Sequence, residues 1–199
     1  MLTSLTEEDR DLILPWRNAP EVRRAMYSQH EITEEEHCAW FATMQADSTR
    51  EWFLYRDERG VPQGVVYFDP IRSEHCTAVW GFYTRPSAPA GTGTRMLAEA
   101  LDWAFSKGQL RKIIGENLET NPASQWLHQK LGFREEGRLR QEIEVGGEPV
   151  DLVRWGILHS EWREARPAVM NRVAHLNQLA NSKATPPQVI LILSAKDSW

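Results

Sequence analysis

A run of small residues in the middle of the chain could bind an anion through its backbone. The run is Ala90-Gly91-Thr92-Gly93-Thr94, and apolar residues at helical spacing follow it directly. Glycine lets the main chain approach a bulky ligand, and the first N–H groups of a helix bind phosphate. The run has neither the Gly-Lys-Ser/Thr of a Walker loop nor a full G-x-G-x-x-G. By itself it fits a phosphate loop or a plain turn before a helix.

A second polar cluster follows in the next predicted helix. Asn121 precedes Pro122, which predicts a helix with Asn121 as its N-cap. His128 comes about two helical turns after Asn121, so both side chains are expected on one face of this helix. Gly132 is expected to end the helix. An imidazole can donate or accept a proton near neutral pH, so His128 is a candidate for acid–base chemistry.

Together the two clusters resemble a known signature. The string N-x-x-S-x-x-x-H-x-K-x-G-F, from Asn121 to Phe133, resembles the second half of the GNAT acetyltransferase signature, and the small-residue run resembles its first half. The resemblance covers about residues 75–135. One position departs from the family pattern, because Ala88 stands where the family often has Gln or Arg. The resemblance implies an acetyl-CoA-dependent enzyme that needs no metal.

The resemblance also implies a coenzyme site between two splayed strands. Backbone N–H groups near Phe82 and Tyr83 would lie at the thioester oxygen, where preorganised donors are worth about 10²–10³ in rate. The implied coenzyme-binding residues are Phe82, Tyr83, Thr84, Ala90, Gly91, Thr92, Gly93, Thr94, Asn121, Ser124 and His128.

The N-terminal part resembles one branch of the family. The segments Trp16-Arg17-Asn18, Met26-Tyr27-Ser28 and Glu36-His37-x-x-Trp40-Phe41 resemble nucleotide-sugar N-acetyltransferases of the pseudaminic acid pathway (PseH-like). This resemblance spans about residues 1–162. It implies acetyl transfer to the 4-amino group of a UDP-linked 4-amino-4,6-dideoxy sugar, for flagellin or surface glycans.

Two catalytic roles follow from the family pattern. Glu116 is expected to remove the proton of the amine, directly or through water; the alternative is a solvated carboxylate at a strand edge. His128 occupies the place where many GNAT enzymes have a tyrosine that protonates the leaving sulfur. The alternative for His128 is packing or a hydrogen bond against the pantetheine arm. Asn121 is either a helix cap alone or a pantetheine contact as well.

The acceptor pocket is assigned to the N-terminal segments. Arg17 is expected to bind the nucleotide diphosphate through bidentate hydrogen bonds. An apolar wall for the 6-deoxy sugar is expected from Met26, Tyr27, Trp40, Phe41 and Tyr83. The alternative is that these side chains belong to the core, and it is strongest for Trp40 and Phe41 at helical spacing.

The predicted elements give an α/β fold of the α+β type. The resemblance implies the GNAT fold, with a central, mixed, mostly antiparallel sheet of about seven strands, splayed at the coenzyme site and flanked by helices. The expected domains are residues 1–162, the GNAT domain, and residues 163–199, a peripheral or poorly ordered extension. Within the extension, Asn181 to Gln188 is linker-like, and Val189 to Leu193 is an extra edge strand or a partner contact.

Composition excludes several classes of protein. The 199 residues carry a net charge of -5, which disfavours nucleic-acid binding through bulk charge. Two cysteines cannot form a disulfide framework, and the histidines show no paired metal spacing. No apolar run reaches the 18 or so residues of a membrane span, and no signal peptide is evident, so a cytoplasmic protein is expected. A homodimer is left open.

Two other functions stay open. The acceptor could be a protein N-terminus or a polyamine, since RimJ/RimL-like and polyamine acetyltransferases share the half of the signature from Asn121 to Phe133. The chain could also be a non-catalytic acyl-CoA-binding module, because Ala88 and His128 depart from the family pattern.

Overall fold

A computed structural model describes residues 1–181 and the backbone of residues 192–193. A single sheet is flanked by helices on both faces. The strands are β1 (Leu2–Ser4), β2 (Glu51–Arg56), β3 (Pro62–Arg72), β4 (Thr77–Thr84), β5 (Lys112–Leu118), β6 (Arg134–Val145), β7 (Glu148–Leu158) and β8 (Ile192–Leu193). The helices are α1 (Arg10–Asn18), α2 (Pro20–Arg23), α3 (Glu34–Ala46), α4 (Thr92–Ser106), α5 (Pro122–Leu131) and α6 (His159–Asn181).

The sheet has the order β1-β2-β3-β4-β5-β7-β6, with β8 added beside β4. The pair β4–β5 is parallel, and the other described pairs are antiparallel. The α4 crossover joins the two parallel strands, as parallel pairing requires. The predicted mixed, mostly antiparallel sheet of about seven strands is confirmed.

The sheet splays between β4 and β5. Their pairing includes Thr77 with Lys112, Ala78 with Ile113 and ends at Val79 with Ile114. The carboxyl-terminal halves of both strands then separate, although each keeps its outer neighbour. The predicted splay is therefore present: β4 and β5 no longer pair with each other there, and β8 pairs with Phe82 and Tyr83 on the β4 side.

Two hydrophobic clusters hold the helices to opposite faces. The larger cluster lies under α4, α5 and α6 and contains Trp80, Phe133 and Trp155. The smaller cluster lies under α1–α3 and contains Trp40 and Trp52. Alternate side chains of a strand point to opposite faces, so β4 contributes Trp80 and Phe82 to the larger cluster and Tyr83 to the smaller one.

The expected domain end at residue 162 lies inside a helix. α6 continues to Asn181, and Trp162 and Val169 are buried in the larger cluster. The expectation of a peripheral or poorly ordered extension is therefore wrong for the first part of residues 163–199, because α6 buries apolar side chains against the domain. Of the predicted edge strand, Ile192 and Leu193 pair with β4; the linker-like segment beyond Asn181 lies outside the described residues.

Candidate active site

The small-residue run forms the turn into α4. Gly91 has φ 82°, a left-handed conformation that favours glycine, and it precedes the first residue of the helix. A Cβ at Gly91 would lie 2.8 Å from Leu176 Cδ1, so α6 packs closely over this turn. Arg95 Nη2 donates to the Ala90 carbonyl at 3.2 Å and fixes the loop from inside the helix. The turn presents the first amides of α4, which suits an anionic group.

The coenzyme edge of β4 carries the three predicted residues Phe82, Tyr83 and Thr84. All three are buried, and the backbones of Phe82 and Tyr83 pair with Leu193 and Ile192 of β8. A segment of the extension thus lies along the strand edge at which the thioester donors were predicted. The side chain of Tyr83 faces the smaller cluster, whereas Phe82 belongs to the larger cluster.

Asn121 caps α5 as predicted. Its side-chain oxygen accepts a hydrogen bond from the Ser124 backbone N–H at 3.1 Å. Ser124 is fully buried, and its hydroxyl has no hydrogen-bond partner among the described residues. A buried hydroxyl without a partner is costly, so this atom can accept or donate a bond to a group that enters the gap.

His128 lies in an aromatic box. Its ring is 1% exposed and contacts Trp80, Phe133 and Trp155, with a stacked centroid distance of 5.4 Å to Trp155. Nδ1 lies 3.1 Å from the Ser124 carbonyl, and Nε2 lies 3.3 Å from the Trp80 indole nitrogen. Because the indole can only donate, Nε2 accepts and Nδ1 carries the proton. Burial lowers the pKa of His128 to about 3.

These contacts weigh against the predicted acid role of His128. Its single ring proton is donated to a backbone carbonyl, and a neutral imidazole with this pKa has no second proton to give at neutral pH. The structure favours the alternative in which His128 packs beside the gap. It ties α5 to β4, the two elements that border the splay on this face.

Glu116 lies on the face of β5 opposite to the face that contacts His128, beyond the last residue of β5 that pairs with β4. Its side chain is 9% exposed. Tyr27 Oη donates to Glu116 Oε2 at 3.4 Å, and Arg154 Nη1 lies 3.3 Å from Glu116 Oε1. Glu116 and Arg154 are directly paired across β5 and β7, which places both side chains on one face. The carboxylate is thus held between a phenol and a guanidinium at the gap.

The remaining predicted acceptor residues are core residues. Met26, Trp40, Phe41 and Tyr83 are buried in the smaller cluster, where Trp40 lies 4.7 Å from Trp52 between ring centroids. Their burial favours the alternative that they pack the core.

Arg17 is also buried, with 1% of its surface exposed, and Nη2 donates to the Ser28 carbonyl at 3.1 Å. It therefore holds the segment around Tyr27 in place. Its guanidinium is buried and is not exposed to a diphosphate in solution. Of the six predicted acceptor residues, Tyr27 alone is shown in contact with Glu116 by the described geometry.

Sequence reasoning missed Arg154. It stands between the buried residues Val153 and Trp155, and the alternation of a strand places its side chain on the other face of the sheet. A charged residue inside the otherwise apolar run Leu152–Leu158 was the available signal. Its partner Glu116 lies on a different strand, so the pair is visible only once the register of β5 and β7 is known.

The described part of the chain offers no group of three or more His, Cys, Asp or Glu side chains that could hold a metal ion. Among the described helices, none combines the length and the apolar character needed to cross a membrane.

Comparison with known proteins identifies the family. Residues 1–134 match the acetyltransferase (GNAT) domain family, which covers more than half of the chain. The chain belongs to the GNAT family. The GNAT domain is therefore an N-acetyltransferase, and acetyl-CoA as the acetyl donor fits the splayed sheet and the glycine turn.

Two groups of relatives share the GNAT domain. Acetyltransferase PseH from Campylobacter jejuni strain 81-176 is 27% identical over 132 residues, which is 66% of this chain and 80% of the relative. Spermidine N(1)-acetyltransferase from Vibrio cholerae is 28% identical over 117 residues, 58% of this chain and 68% of the relative. A crystal structure of spermidine N-acetyltransferase from Vibrio cholerae, in complex with CoA and spermine, superimposes on this chain with a TM-score of 0.75 and 25% sequence identity. The matched region is 81% of this chain and 96% of the Vibrio cholerae chain.

Proposed function

We propose that the enzyme transfers acetyl from acetyl-CoA to the 4-amino group of a UDP-linked 4-amino-4,6-dideoxy sugar. The observation that carries the proposal is the position of Glu116, held by Tyr27 and Arg154 at the splay. A site that pairs its carboxylate with an arginine suits an uncharged or anionic acceptor better than a polycation. The similarity to the two PseH proteins of Campylobacter jejuni supports the same choice.

In this proposal the chain's own residues hold the coenzyme in the gap. The glycine turn at Gly91 and the first amides of α4 bind the pyrophosphate, and Ser124 and Asn121 face the pantetheine arm. The backbone N–H groups of Phe82 and Tyr83 polarise the thioester oxygen, so β8 leaves that edge when the coenzyme binds along it. Bound acetyl-CoA supplies the thioester carbonyl that the amine attacks.

Acid–base catalysis is carried out by residues on the face of the sheet that holds Glu116 and Tyr27. Glu116 takes the proton from the amine, and a positioned base contributes about 10²–10⁴ in rate. Tyr27 donates to the same carboxylate and fixes its orientation. His128 stays neutral and holds α5 against β4. The leaving thiolate takes its proton from solvent water, and Glu116 returns the proton of the amine to solvent.

A polyamine is the second candidate acceptor, because the spermidine enzyme of Vibrio cholerae has the same fold with a TM-score of 0.75. The charge at the gap weighs against it, since Arg154 already neutralises Glu116. A cytoplasmic location and a homodimer are consistent with the proposal and stay predictions.

The test is a thiol-release assay with acetyl-CoA and three acceptors: a UDP-4-amino-4,6-dideoxy sugar, spermidine and a peptide with an N-terminal alanine. We expect the nucleotide sugar to give the highest kcat/KM. Mass spectrometry of the product, with one acetyl group on the sugar nitrogen, identifies the reaction. Turnover with spermidine or the peptide alone would reject the nucleotide sugar as the acceptor.

A further inference from the structure

We infer that Arg154 determines which acceptors the enzyme accepts, favouring one with an anionic group near its amine and disfavouring a polycation. The inference rests on the proposed function in one respect, because it takes the splay as the place where the amine reacts. It assigns the role of the anion-binding arginine, predicted for Arg17, to a residue on a different element.

Arg154 has the position that this role needs. It lies on β7 directly across from Glu116, with Nη1 3.3 Å from Glu116 Oε1. The contact joins one nitrogen of the guanidinium to one carboxylate oxygen, and a guanidinium has five N–H groups in a planar fork. The side chain is 35% exposed, so a ligand beside the carboxylate can contact it.

Two arginines of the N-terminal segments, Arg17 and Arg23, are held by backbone carbonyls in the described arrangement. Arg17 is buried and donates to the Ser28 carbonyl. Arg23 is partly buried and directs Nη1 to the Gln29 carbonyl at 3.4 Å. Both brace the segment that carries Tyr27, whereas Arg154 contacts the proposed base itself.

The chemistry follows from the charge of the acceptor. In a nucleotide-linked amino sugar, one pyranose ring separates the reacting amine from the anomeric phosphate, so a phosphate can reach a guanidinium beside the base. Arginine binds phosphate with paired, charge-assisted hydrogen bonds. A polyamine instead brings a second ammonium group toward the same guanidinium, and like charges at short range repel. Arg154 therefore acts on the two acceptor classes in opposite directions.

This opposition supplies a test that a purely structural role would not pass. UDP binding to the full chain is measured by calorimetry for the wild type, Arg154→Gln and Arg154→Lys. We expect Arg154→Gln to weaken UDP binding by about tenfold or more, the factor that corresponds to one lost charge-assisted contact. Arg154→Lys keeps the charge and should retain most of the affinity.

Acetyl transfer to the nucleotide sugar and to spermidine is compared in the same variants. We expect Arg154→Gln to lower kcat/KM for the nucleotide sugar and to raise it for spermidine. Arg166→Gln is the matched control, because Arg166 is a half-exposed arginine paired with Asp102 away from the gap, and it should leave both values unchanged.

Two results would overturn the inference: equal UDP affinity of the wild type and Arg154→Gln, or an equal loss of activity toward both acceptors. The binding measurement requires no acetyl transfer. A wild type that binds UDP through Arg154 yet acetylates no amino sugar would therefore reject the proposed reaction and uphold the role of Arg154.

Discussion

The two sides of the splay are built in different ways. On the coenzyme side, each feature comes from one continuous segment: the glycine turn into α4, and the capped start of α5 with His128 on its face. On the acceptor side, Tyr27, Glu116 and Arg154 come from three distant parts of the chain. The first side is a packed core with a gap at its edge, and the second is a polar cluster that exists only through tertiary contacts.

The largest expected effect is a loss of kcat on substitution of Glu116, which lies on the acceptor side. Glu116→Gln keeps the size of the side chain and removes the base, so kcat should fall by about 10²–10⁴-fold at neutral pH, and less at high pH where the amine is already neutral. Acetyl-CoA affinity should stay within a few fold, because the coenzyme side is untouched. Steady-state kinetics across pH and calorimetry with acetyl-CoA measure both.

Glu142→Gln is the control for this substitution, since Glu142 is an exposed carboxylate on β6. It should leave kcat unchanged. A Glu116→Gln enzyme with wild-type kcat, or with a pH profile parallel to that of the wild type, would remove Glu116 as the base.

A smaller effect is expected from the coenzyme side at Gly115. A Cβ there would overlap His128 Nε2 and would lie 2.9 Å from Trp80 Nε1. Gly115→Ala should lower the free energy of unfolding by about 1–3 kcal/mol, the usual cost of overpacking. Chemical denaturation gives this value. Gly137→Ala is the matched control on β6, where a Cβ would meet nothing within 4 Å.

If both alanine variants proved equally stable, the close contact of His128 with β5 would be wrong. If Gly115→Ala lost stability and Glu116→Gln did not, Gly115 would serve the packing of His128 and Glu116 would serve catalysis.

Within any single pH unit, a still smaller effect is a pH dependence that sharpens the assignment of His128. Its pKa is about 3 in the folded protein because of burial, against about 6.5 in an unfolded chain. The unfolded state therefore binds more protons below pH 6.5, and stability falls as the pH drops through the window from about 6.5 to 3. The slope from one such group reaches at most about 1.4 kcal/mol per pH unit.

His128→Phe keeps a ring in the aromatic box and removes the titration, so its free energy of unfolding should lose this slope. His75→Phe changes an exposed histidine and should keep it. Denaturation at several pH values measures the difference. An unchanged slope in His128→Phe, with a large loss of kcat, would restore the role of proton donor to His128.

The sequence alone determined the features that a single segment encodes. The glycine turn before α4, the cap at Asn121 and the end of α5 at Gly132 are local preferences of backbone and side chain, and all three are present. The alternating strands and helical spacings predicted individual elements, whereas the mixed sheet and its splay followed from the family resemblance.

The tertiary structure decided what those residues do. Arg17, Trp40 and Phe41, which were expected to contact ligands, are buried in the core. His128 is a neutral ring with hydrogen bonds at both nitrogens. The pairing of Glu116 with Arg154 depends on the register of β5 and β7, where a slip of one residue would send Arg154 to the other face. Strand register is a property of the whole sheet, so no local pattern in the sequence contains it.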